Sequence, residues 1–399
     1  MSGFMSSVFM PPVCLVGADV LTGSSLQDRP VGMAMGQIVD PQGLPQVDLS
    51  GYWLMPGIID LHGDGFERQI FPRPTAPFPI SSGLASTDRE AAAHGVTTAF
   101  LAQSWSWEGG FRGPDHAETF LAAVRDYRPH ALIDLRVQIR AETHLVEAVP
   151  RLLDAVEKFR VGYVVFNDHL EEGFQMHRNN PDGFAHWARK AGLTEGQLLA
   201  RMEAARDRAK EVPRALCAMA SAFDDLGVTY GSHDDPDAET REVYRMIGAR
   251  VAEFPTTRRA AAAAKAAGDP VIMGAPNVVR GGSQAGNVAA MDLIRSGICD
   301  ALVSDYHIPA LPLAVWALVD AGVADMAQAW SLVSTGPARA LGLSDRGEVA
   351  QGLRADLVLV NKSTRQIDAT IAGGRLAYLA GPVAARFFAQ TGAQRLAAE

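Results

Sequence analysis

Short apolar runs alternate with longer amphipathic stretches between about residue 55 and residue 342. The short runs have the length of buried strands, and the amphipathic stretches have the period of helices. Parallel strands joined by helical crossovers produce this alternation, so the pattern predicts an α/β fold, a (β/α)8 TIM-like barrel. Eight strands are predicted, at residues 58–61, 96–101, 135–141, 161–167, 229–231, 250–254, 270–273 and 301–304.

The two ends of the chain have a different pattern, in which short strands and turns replace the strand–helix alternation. Residues 355–379 repeat the strand-rich character of residues 1–54. The ends therefore predict one small β-sandwich domain formed by both termini, from residues 1–54 and 346–399. The barrel would then occupy residues 55–345.

Two helical features stand out from the rest. Residues 195–226 form a long helical stretch with Pro213 inside it. Proline removes a helix hydrogen bond and clashes with the preceding turn, so a kink or a break is expected there. Residues 382–399 are rich in alanine, which favours a helix.

Composition and charge narrow the class of function. A chain of 399 residues is long enough for one barrel and an accessory domain. The formal net charge of −9 argues against generic nucleic-acid binding, but it permits an anionic small substrate at a locally positive site. The cysteines, Cys14, Cys217 and Cys299, lie far apart without a CxxC pair, which is typical of a reducing compartment.

The N-terminal segment does not have the pattern of a secretory signal, since its first cation is Arg29. No apolar run approaches the ~18 residues that a membrane span needs. These features predict a cytoplasmic protein with neither a membrane nor a nucleic acid as partner. The oligomeric state stays open, with a homo-oligomer among the alternatives.

The most informative stretch is residues 56–64, Pro-Gly-Ile-Ile-Asp-Leu-His-Gly-Asp. His62 and Asp64 follow the first predicted strand, and side chains at i and i+2 of a strand share one face. An imidazole and a carboxylate at this spacing can bind one cation. Taken alone, the pair is equally compatible with a strand-end histidine beside a solvated aspartate.

Most of the other predicted strands also end in polar residues suited to metal binding or proton transfer. In a barrel the active site lies at the C-terminal ends of the strands, so these residues should converge. They follow the third, fourth, fifth, seventh and last strands, as Glu142 to His144, Asp168 and His169, Ser232 to Asp235, Asn277 with Arg280 to Ser283, and Asp305 to His307.

This set suits a pair of divalent cations. Two cations a few ångströms apart repel each other, so several carboxylates and neutral imidazoles must share them, and the pair lowers the pKa of a bridging water toward ~7. Asp305, at the end of the last strand, is the predicted catalytic carboxylate that takes the proton. The alternative is that Asp305 caps the helix that follows.

The second informative stretch is residues 273–287, which is rich in glycine, contains Arg280 and leads toward a helix predicted near 285–294. Backbone N–H groups at a helix start, together with Arg280, would form a phosphate-binding loop. The alternative is an ordinary barrel loop, because no Gly-Lys-Ser sequence follows as in a P-loop.

Two further loops leave their alternatives open. Arg73 lies between prolines, where it either points inward or is an ordinary surface arginine. Trp105 and Trp107 follow the second strand, where they either stack on a substrate ring or cover the barrel.

Three stretches resemble the amidohydrolase superfamily: residues 54–62, residues 94–98 and residues 352–360. More narrowly, the chain resembles the PhnM family, the α-D-ribose 1-methylphosphonate 5-triphosphate diphosphatases of phosphonate breakdown, from about residue 50 to residue 380. The motifs that carry this resemblance are His62-Gly-Asp64, Phe71-Pro-Arg-Pro74, Gly231-Ser-His-Asp-Asp235, Ala252-Glu-Phe-Pro-Thr-Thr257, Met273-Gly-Ala-Pro-Asn277, Val279-Arg-Gly-Gly-Ser283, Gly286-Asn287 and Ser304-Asp-Tyr306.

The resemblance implies a metal-dependent hydrolase that cleaves a ribose 5-triphosphate to the 5-phosphate and diphosphate. It implies two divalent ions, zinc first, with manganese or iron as alternatives. The implied metal-site residues are His62, Asp64, Glu142, His169, His233 and Asp305. The implied substrate-binding residues are Arg73, Asn277, Arg280, Ser283 and Tyr306.

The chain also departs from the family pattern. Gly63, Gly65, Gln284 and His307 stand where other residue types are expected. The predicted strand count places His169 and His233 after the fourth and fifth strands, whereas many superfamily members carry such ligands on the fifth and sixth. Two alternative functions therefore remain: hydrolysis of a cyclic amide or amine, and a non-catalytic metal-bearing subunit of the same pathway.

Overall fold

Three β-sheets organise the chain in this computed structural model, which describes residues 9–73, 76–283 and 285–396. One sheet has four strands, one has six and one has eight. In chain order the strands are β1 (Val13–Val16), β2 (Asp19–Thr22), β3 (Ser25–Asp28), β4 (Val31–Ala34), β5 (Gln37–Val39), β6 (Gln46–Asp48), β7 (Tyr52–Pro56), β8 (Ile58–Gly63), β9 (Val96–Trp105), β10 (Asp134–Glu142), β11 (Tyr163–Asn167), β12 (Thr229–His233), β13 (Val251–Glu253), β14 (Val271–Gly274), β15 (Ala301–Val303), β16 (Leu357–Asn361), β17 (Ile367–Ala372) and β18 (Arg375–Leu379).

The eight-stranded sheet is a parallel barrel of β8 to β15 in chain order. Its ends meet where Asp305 N donates to His62 O at 2.9 Å and Asp64 N donates to Asp305 O at 2.8 Å. Each strand is almost wholly buried, because helices cover the outside and side chains fill the inside. The predicted barrel, with its eight strands and their order, is confirmed.

The helices up to Arg295 separate the barrel strands, three more follow the last barrel strand, and the final one follows β18. In chain order they are α1 (Phe66–Ile70), α2 (Ile80–Ala93), α3 (Pro114–Tyr127), α4 (Val149–Phe159), α5 (Leu170–Asn179), α6 (Pro181–Lys190), α7 (Glu195–Asp207), α8 (Val212–Leu226), α9 (Ala238–Met246), α10 (Arg258–Ala266), α11 (Ala275–Arg280), α12 (Ala290–Arg295), α13 (Ala310–Asp320), α14 (Met326–Ser331), α15 (Thr335–Ala340) and α16 (Val383–Leu396). None of the helices in the described ranges has the length and apolar character of a membrane span.

The predicted break near Pro213 is confirmed, because α7 and α8 are separate helices. Pro213 occupies the first turn of α8, where its missing N–H has no helical partner to lose. A capping box at Thr194 and Gln197 begins α7. The predicted helix at the C-terminal end is also present, as α16.

Helices α5, α6 and α7 form an insertion with a small core of its own. Trp107, from the loop after β9, is buried in this core beside Phe174 and Phe184. Trp105 is buried against the barrel helices. Both tryptophans therefore cover the barrel, and the alternative of stacking on a substrate ring does not fit these positions.

The four-stranded and six-stranded sheets come from the two ends of the chain. In the six-stranded sheet, β7 pairs antiparallel with β16, so residues before and after the barrel share one sheet. Residues of both sheets, among them Leu15, Leu54 and Leu359, pack in one core. The predicted β-sandwich from both termini is confirmed, while the domain limits at residues 54 and 346 stay predictions.

A partly buried charge network ties the returning chain to the bottom of the barrel. Asp134, at the start of β10, accepts hydrogen bonds from Arg346 Nη1 at 2.7 Å, Arg136 Nη2 at 2.9 Å and Arg354 Nη1 at 3.3 Å. Burial alone would raise the pKa of Asp134, but Arg136 and Arg346 outweigh it and lower the pKa to about 2. The carboxylate is therefore more stable in the folded protein than in the unfolded chain.

We expect Asp134→Asn to lower the free energy of unfolding by about 2 kcal/mol at pH 7, from the shift in pKa. Because the folded pKa lies below the ordinary value of 3.8, this stability is present above pH 4 and is lost as the pH falls toward 2. Urea unfolding of wild type and variant at pH 7 and pH 3 measures it. The difference in the free energy of unfolding between wild type and Asp134→Asn should be smaller at pH 3 than at pH 7.

Asp115→Asn is the matched control, because Asp115 is an exposed aspartate that contacts one arginine at the surface. A destabilisation by Asp134→Asn that does not change between the two pH values would contradict the role of the ionised carboxylate.

Candidate metal centre

The C-terminal ends of the barrel strands enclose a cavity of about 430 Å³. The sequence-predicted site residues that line it are His62, Asp64, His169, His233, Asn277, Arg280, Ser283, Asp305 and Tyr306. Two predicted site residues lie elsewhere. Glu142 is buried behind His169, and Arg73 is exposed outside the cavity lining. Pro74, of the motif that contains Arg73, lies outside the described residues.

Side chains that could hold a metal ion form two groups in this cavity. One consists of His62, Asp64 and Asp305, and the other of His169, His233 and Asp234. Within each group the potential ligand atoms all lie within 4.8 Å of one another. The groups are adjacent, since the rings of His62 and His233 stack with centroids 5.1 Å apart.

A buried glutamate, Glu253 at the end of β13, holds two of these histidines. Its Oε2 accepts from His62 Nδ1 at 2.9 Å and from His233 Nδ1 at 3.1 Å. Its Oε1 accepts from Gln138 Nε2 and from Tyr163 OH, each at 2.6 Å. Burial would raise the pKa of Glu253, but His62 and the hydrogen bonds lower it well below its ordinary value.

The third histidine is held in the same way by a second glutamate. His169 Nδ1 lies 2.5 Å from Glu142 Oε1, and Trp107 Nε1 donates to Glu142 Oε2 at 3.3 Å. Burial disfavours the imidazolium, but Glu142 and Asp234 outweigh it and raise the pKa of His169 to about 10. A metal ion that binds His169 must displace this proton, because the imidazole binds metals in its neutral form. The metal role of Glu142 stays a prediction.

These contacts give the three histidines one common arrangement. Each Nδ1 faces a buried glutamate, so in the neutral imidazole each Nε2 has its lone pair toward the cavity. Three imidazole nitrogens and the carboxylates of Asp64, Asp234 and Asp305 are a donor set that fits divalent zinc, manganese or iron. These residues can therefore hold one or two divalent ions.

Backbone geometry explains how adjacent residues reach the same cavity. Asp234, Phe254 and Asp305 follow β12, β13 and β15, and their φ angles are 60°, 49° and 54°. Residues other than glycine rarely adopt this left-handed conformation, and such residues cluster at functional sites. The turn breaks the strand alternation, which allows His233 and Asp234 to line one cavity although they are neighbours in sequence.

Asp305 lines the cavity and is partly buried. Burial and the nearby Asp64 carboxylate raise the pKa of Asp305 to about 6. The alternative of a helix cap is wrong, because α13 begins at Ala310 and its cap residue is Pro309.

The glycine-rich loop differs from its prediction. The helix predicted near residues 285–294 begins later, at Ala290, since α11 ends at Arg280 and Gly281 adopts a φ of 77°. Arg280 is therefore at the end of a helix and not at the start of one. Any anion here must be bound by side chains and by the loop backbone.

In this loop some side chains face the cavity, whereas others hold the loop backbone in place. Arg280 Nη1 donates to Tyr306 OH at 3.4 Å, which places both groups at the outer edge of the cavity. The Asn277 side chain instead braces the loop, accepting from Ala290 N at 2.9 Å and donating to Val288 O at 3.2 Å. Ser283 Oγ accepts from Ala285 N at 3.1 Å.

Three departures from the family pattern, Gly63, Gly65 and His307, lie near the first and last barrel strands. A Cβ at Gly63 would meet Ser304 Oγ at 2.8 Å, because Gly63 pairs with the last strand where the barrel closes. A Cβ at Gly65 would meet Tyr306 O at 3.2 Å. His307 lies outside the cavity lining, and Gln284 lies outside the described residues.

Comparison with known proteins identifies the family. The chain is 33% identical over 338 residues to the alpha-D-ribose 1-methylphosphonate 5-triphosphate diphosphatase of Escherichia coli (strain K12), and the match covers 81% of this chain and 87% of that protein. This chain belongs to the alpha-D-ribose 1-methylphosphonate 5-triphosphate diphosphatase family. The family inferred from the motifs is thereby confirmed. No protein-family profile matches this diphosphatase-family chain.

Solved structures with the same fold belong to the amidohydrolase group. An amidohydrolase has a TM-score of 0.64 at 15% identity, covering 93% of this chain and 100% of that one. A beta-aspartyl dipeptidase from Fervidobacterium islandicum AW-1 has a TM-score of 0.61 at 15% identity, with coverages of 93% and 98%. The N-acetylglucosamine-6-phosphate deacetylase of Pasteurella multocida has a TM-score of 0.60 at 13% identity, with coverages of 92% and 99%. At these identities the likeness shows a shared fold alone.

We expect Glu142→Gln to weaken divalent-metal affinity about 10- to 100-fold, because the partner that orients His169 changes. Stoichiometry at saturating metal should stay at the wild-type value. Equilibrium dialysis followed by elemental analysis measures both quantities. Glu172→Gln is the matched control, since Glu172 lines the cavity as an exposed side chain. Loss of a whole equivalent of metal would instead make Glu142 a ligand.

Proposed function

We propose that this protein is a metal-dependent hydrolase of phosphonate breakdown, which cleaves α-D-ribose 1-methylphosphonate 5-triphosphate to the 5-phosphate and diphosphate. Membership of the diphosphatase family supports the substrate class. The observation that carries the proposal is one cavity that combines two groups of metal-binding side chains with Arg112, Arg140 and Arg280. A triphosphate is a polyanion, and these guanidinium groups, together with bound divalent ions, would give a protein of net charge −9 a locally positive site.

The proposed division of labour follows the geometry. His62, Asp64 and Asp305 would hold one divalent ion, and His169, His233 and Asp234 the other, with zinc, manganese and iron as candidates. Bound divalent ions neutralise phosphate charge and make coordinated water more acidic. Arg280 and Tyr306 would hold terminal phosphate oxygens at the outer edge of the cavity, while Asn277 keeps the loop in place.

Asp305 would take the proton in the reaction. The oxygen of a water molecule bonds to the α-phosphorus, the bond from that phosphorus to the α,β-bridging oxygen breaks, and diphosphate leaves with the bridging oxygen. The carboxylate of Asp305 accepts the proton that the water loses, and its pKa of about 6 keeps it largely ionised at neutral pH. Water is therefore the second reactant, and the reaction needs no oxidant or reductant.

Several finer assignments remain predictions. These are the identity and number of the metal ions, the roles of Arg73 and Ser283 in substrate binding, the cytoplasmic location and the homo-oligomer. Metal analysis of the purified protein tests the ion count, and well under one equivalent after reconstitution would contradict a metal-dependent mechanism.

A product assay with ribose 1-methylphosphonate 5-triphosphate tests the reaction itself. We expect diphosphate and not monophosphate as the released product. We also expect Arg280→Ala to lower kcat/KM about 10- to 100-fold, because a charge-assisted contact with phosphate is lost. Arg295→Ala, an exposed arginine on α12, should leave kcat/KM unchanged.

A different set of assay results would favour an amidohydrolase that acts on a cyclic amide. If the triphosphate is not cleaved and Arg280→Ala leaves hydrolysis of a cyclic amide intact, the proposed function is wrong and the amidohydrolase alternative replaces it.

A further inference from the structure

A buried arginine that the sequence analysis missed lies at the centre of the candidate metal centre. Arg140, on β10, is 8% exposed and lines the cavity. Its Nη2 lies 3.3 Å from His233 Nε2, and its Nη1 lies 3.7 Å from Asp64 Oδ2. His233 belongs to one metal-binding group and Asp64 to the other. The guanidinium group therefore lies between the two groups.

The contact behind Arg140 orients its guanidinium group through a neutral amide, and its ion pair with Asp64 at 3.7 Å is longer than a hydrogen bond. With its amide oxygen turned toward the arginine, Asn167 accepts from Arg140 Nε at 3.1 Å and from Nη2 at 3.2 Å. Asn167 is a neutral residue at the end of β11. Among the described residues, no carboxylate oxygen is within hydrogen-bonding distance of Arg140, since that of Asp64 is 3.7 Å away.

The other two arginines of the cavity have different surroundings. Arg112 Nη1 donates to Glu108 at 3.3 Å, and its Nε lies 3.9 Å from Glu67, so two acids already offset its charge. Arg280 lies at the exposed outer edge, next to Tyr306. Arg140 alone of the three is both buried and close to Asp64 and the cavity histidines.

We propose that Arg140 is a further catalytic residue, which binds the non-bridging oxygens of the phosphoryl group under attack. This inference rests on the proposed function. The attacked phosphorus must lie near Asp305 and between the two metal-binding groups, and Arg140 is the cationic side chain that reaches this place. The planar guanidinium fork can contact two phosphate oxygens at once, and these oxygens gain charge in the transition state.

The location of Arg140 has a second consequence, which separates catalysis from structural support. Arg140 carries a positive charge 3.3 Å from the His233 nitrogen that faces the cavity. Like charges repel at this distance, so Arg140 opposes cation binding while it favours phosphate binding. Removal of the guanidinium should therefore strengthen metal binding and slow hydrolysis, whereas a residue that only supports the site would weaken both.

The experiment compares Arg140→Gln and Arg140→Lys with wild type. For Arg140→Gln we expect kcat to fall at least about 100-fold, KM to change less than about fivefold, and divalent-metal affinity to stay equal or rise. Binding of inorganic phosphate to the metal-loaded protein, measured by calorimetry, should weaken about tenfold or more. Arg140→Lys keeps the positive charge but loses the planar guanidinium fork, so its kcat should lie between those of wild type and Arg140→Gln.

Arg136→Gln is the matched control, because Arg136 lies on the same strand at the opposite end of the barrel. Parallel loss of metal and activity in Arg140→Gln, or unchanged kcat and phosphate affinity, would overturn the proposal. If Arg140→Gln does not fold, the same comparison is made with Arg140→Lys. If wild type does not cleave the triphosphate, the proposed function fails, and the phosphate affinities alone decide whether Arg140 binds phosphoryl oxygens.

Discussion

The structure depends on one buried carboxylate with four hydrogen-bond donors. Glu253 lies inside the barrel and accepts from side chains on β8, β10, β11 and β12. Burying a carboxylate is costly unless its oxygens are satisfied, and here each oxygen accepts two hydrogen bonds. The same bonds hold His62 and His233 with one nitrogen inward and the other toward the cavity. Barrel packing and metal-site geometry therefore depend on the same atoms.

This arrangement also explains why Glu253 is better understood as an orienting residue than as a ligand. A carboxylate has about four lone-pair positions, and all four are used by donors within the protein. Glu142 does the same for His169 at the edge of the insertion. Two buried glutamates thus orient three histidines, which leaves the aspartates at the strand ends to balance the charge of bound cations.

The sequence allowed the barrel to be predicted because its strands are buried on both faces and appear as short apolar runs. His62 and Asp64 could be predicted as site residues for the same reason, since they directly follow such a run. Glu253 and Arg140 were missed because each lies within a strand, where pattern alone does not distinguish an inward polar residue from a packing one. Asp234 was included among the polar residues after the fifth strand but was not predicted as a metal ligand. Strand alternation places neighbours on opposite faces, and the left-handed φ of Asp234 is not visible in sequence.

The closure of the barrel has a consequence for how this chain reaches its native state. His62 and Asp64 in the first strand region bond to the backbone of Asp305, more than 200 residues later. Contacts between such distant parts of a chain carry a large loop-closure entropy and form slowly. On the ribosome, the early strands must wait until the final strand has been synthesised. The cation-binding groups are therefore expected to be completed only at the last stage of folding, so truncated chains should not acquire the full set.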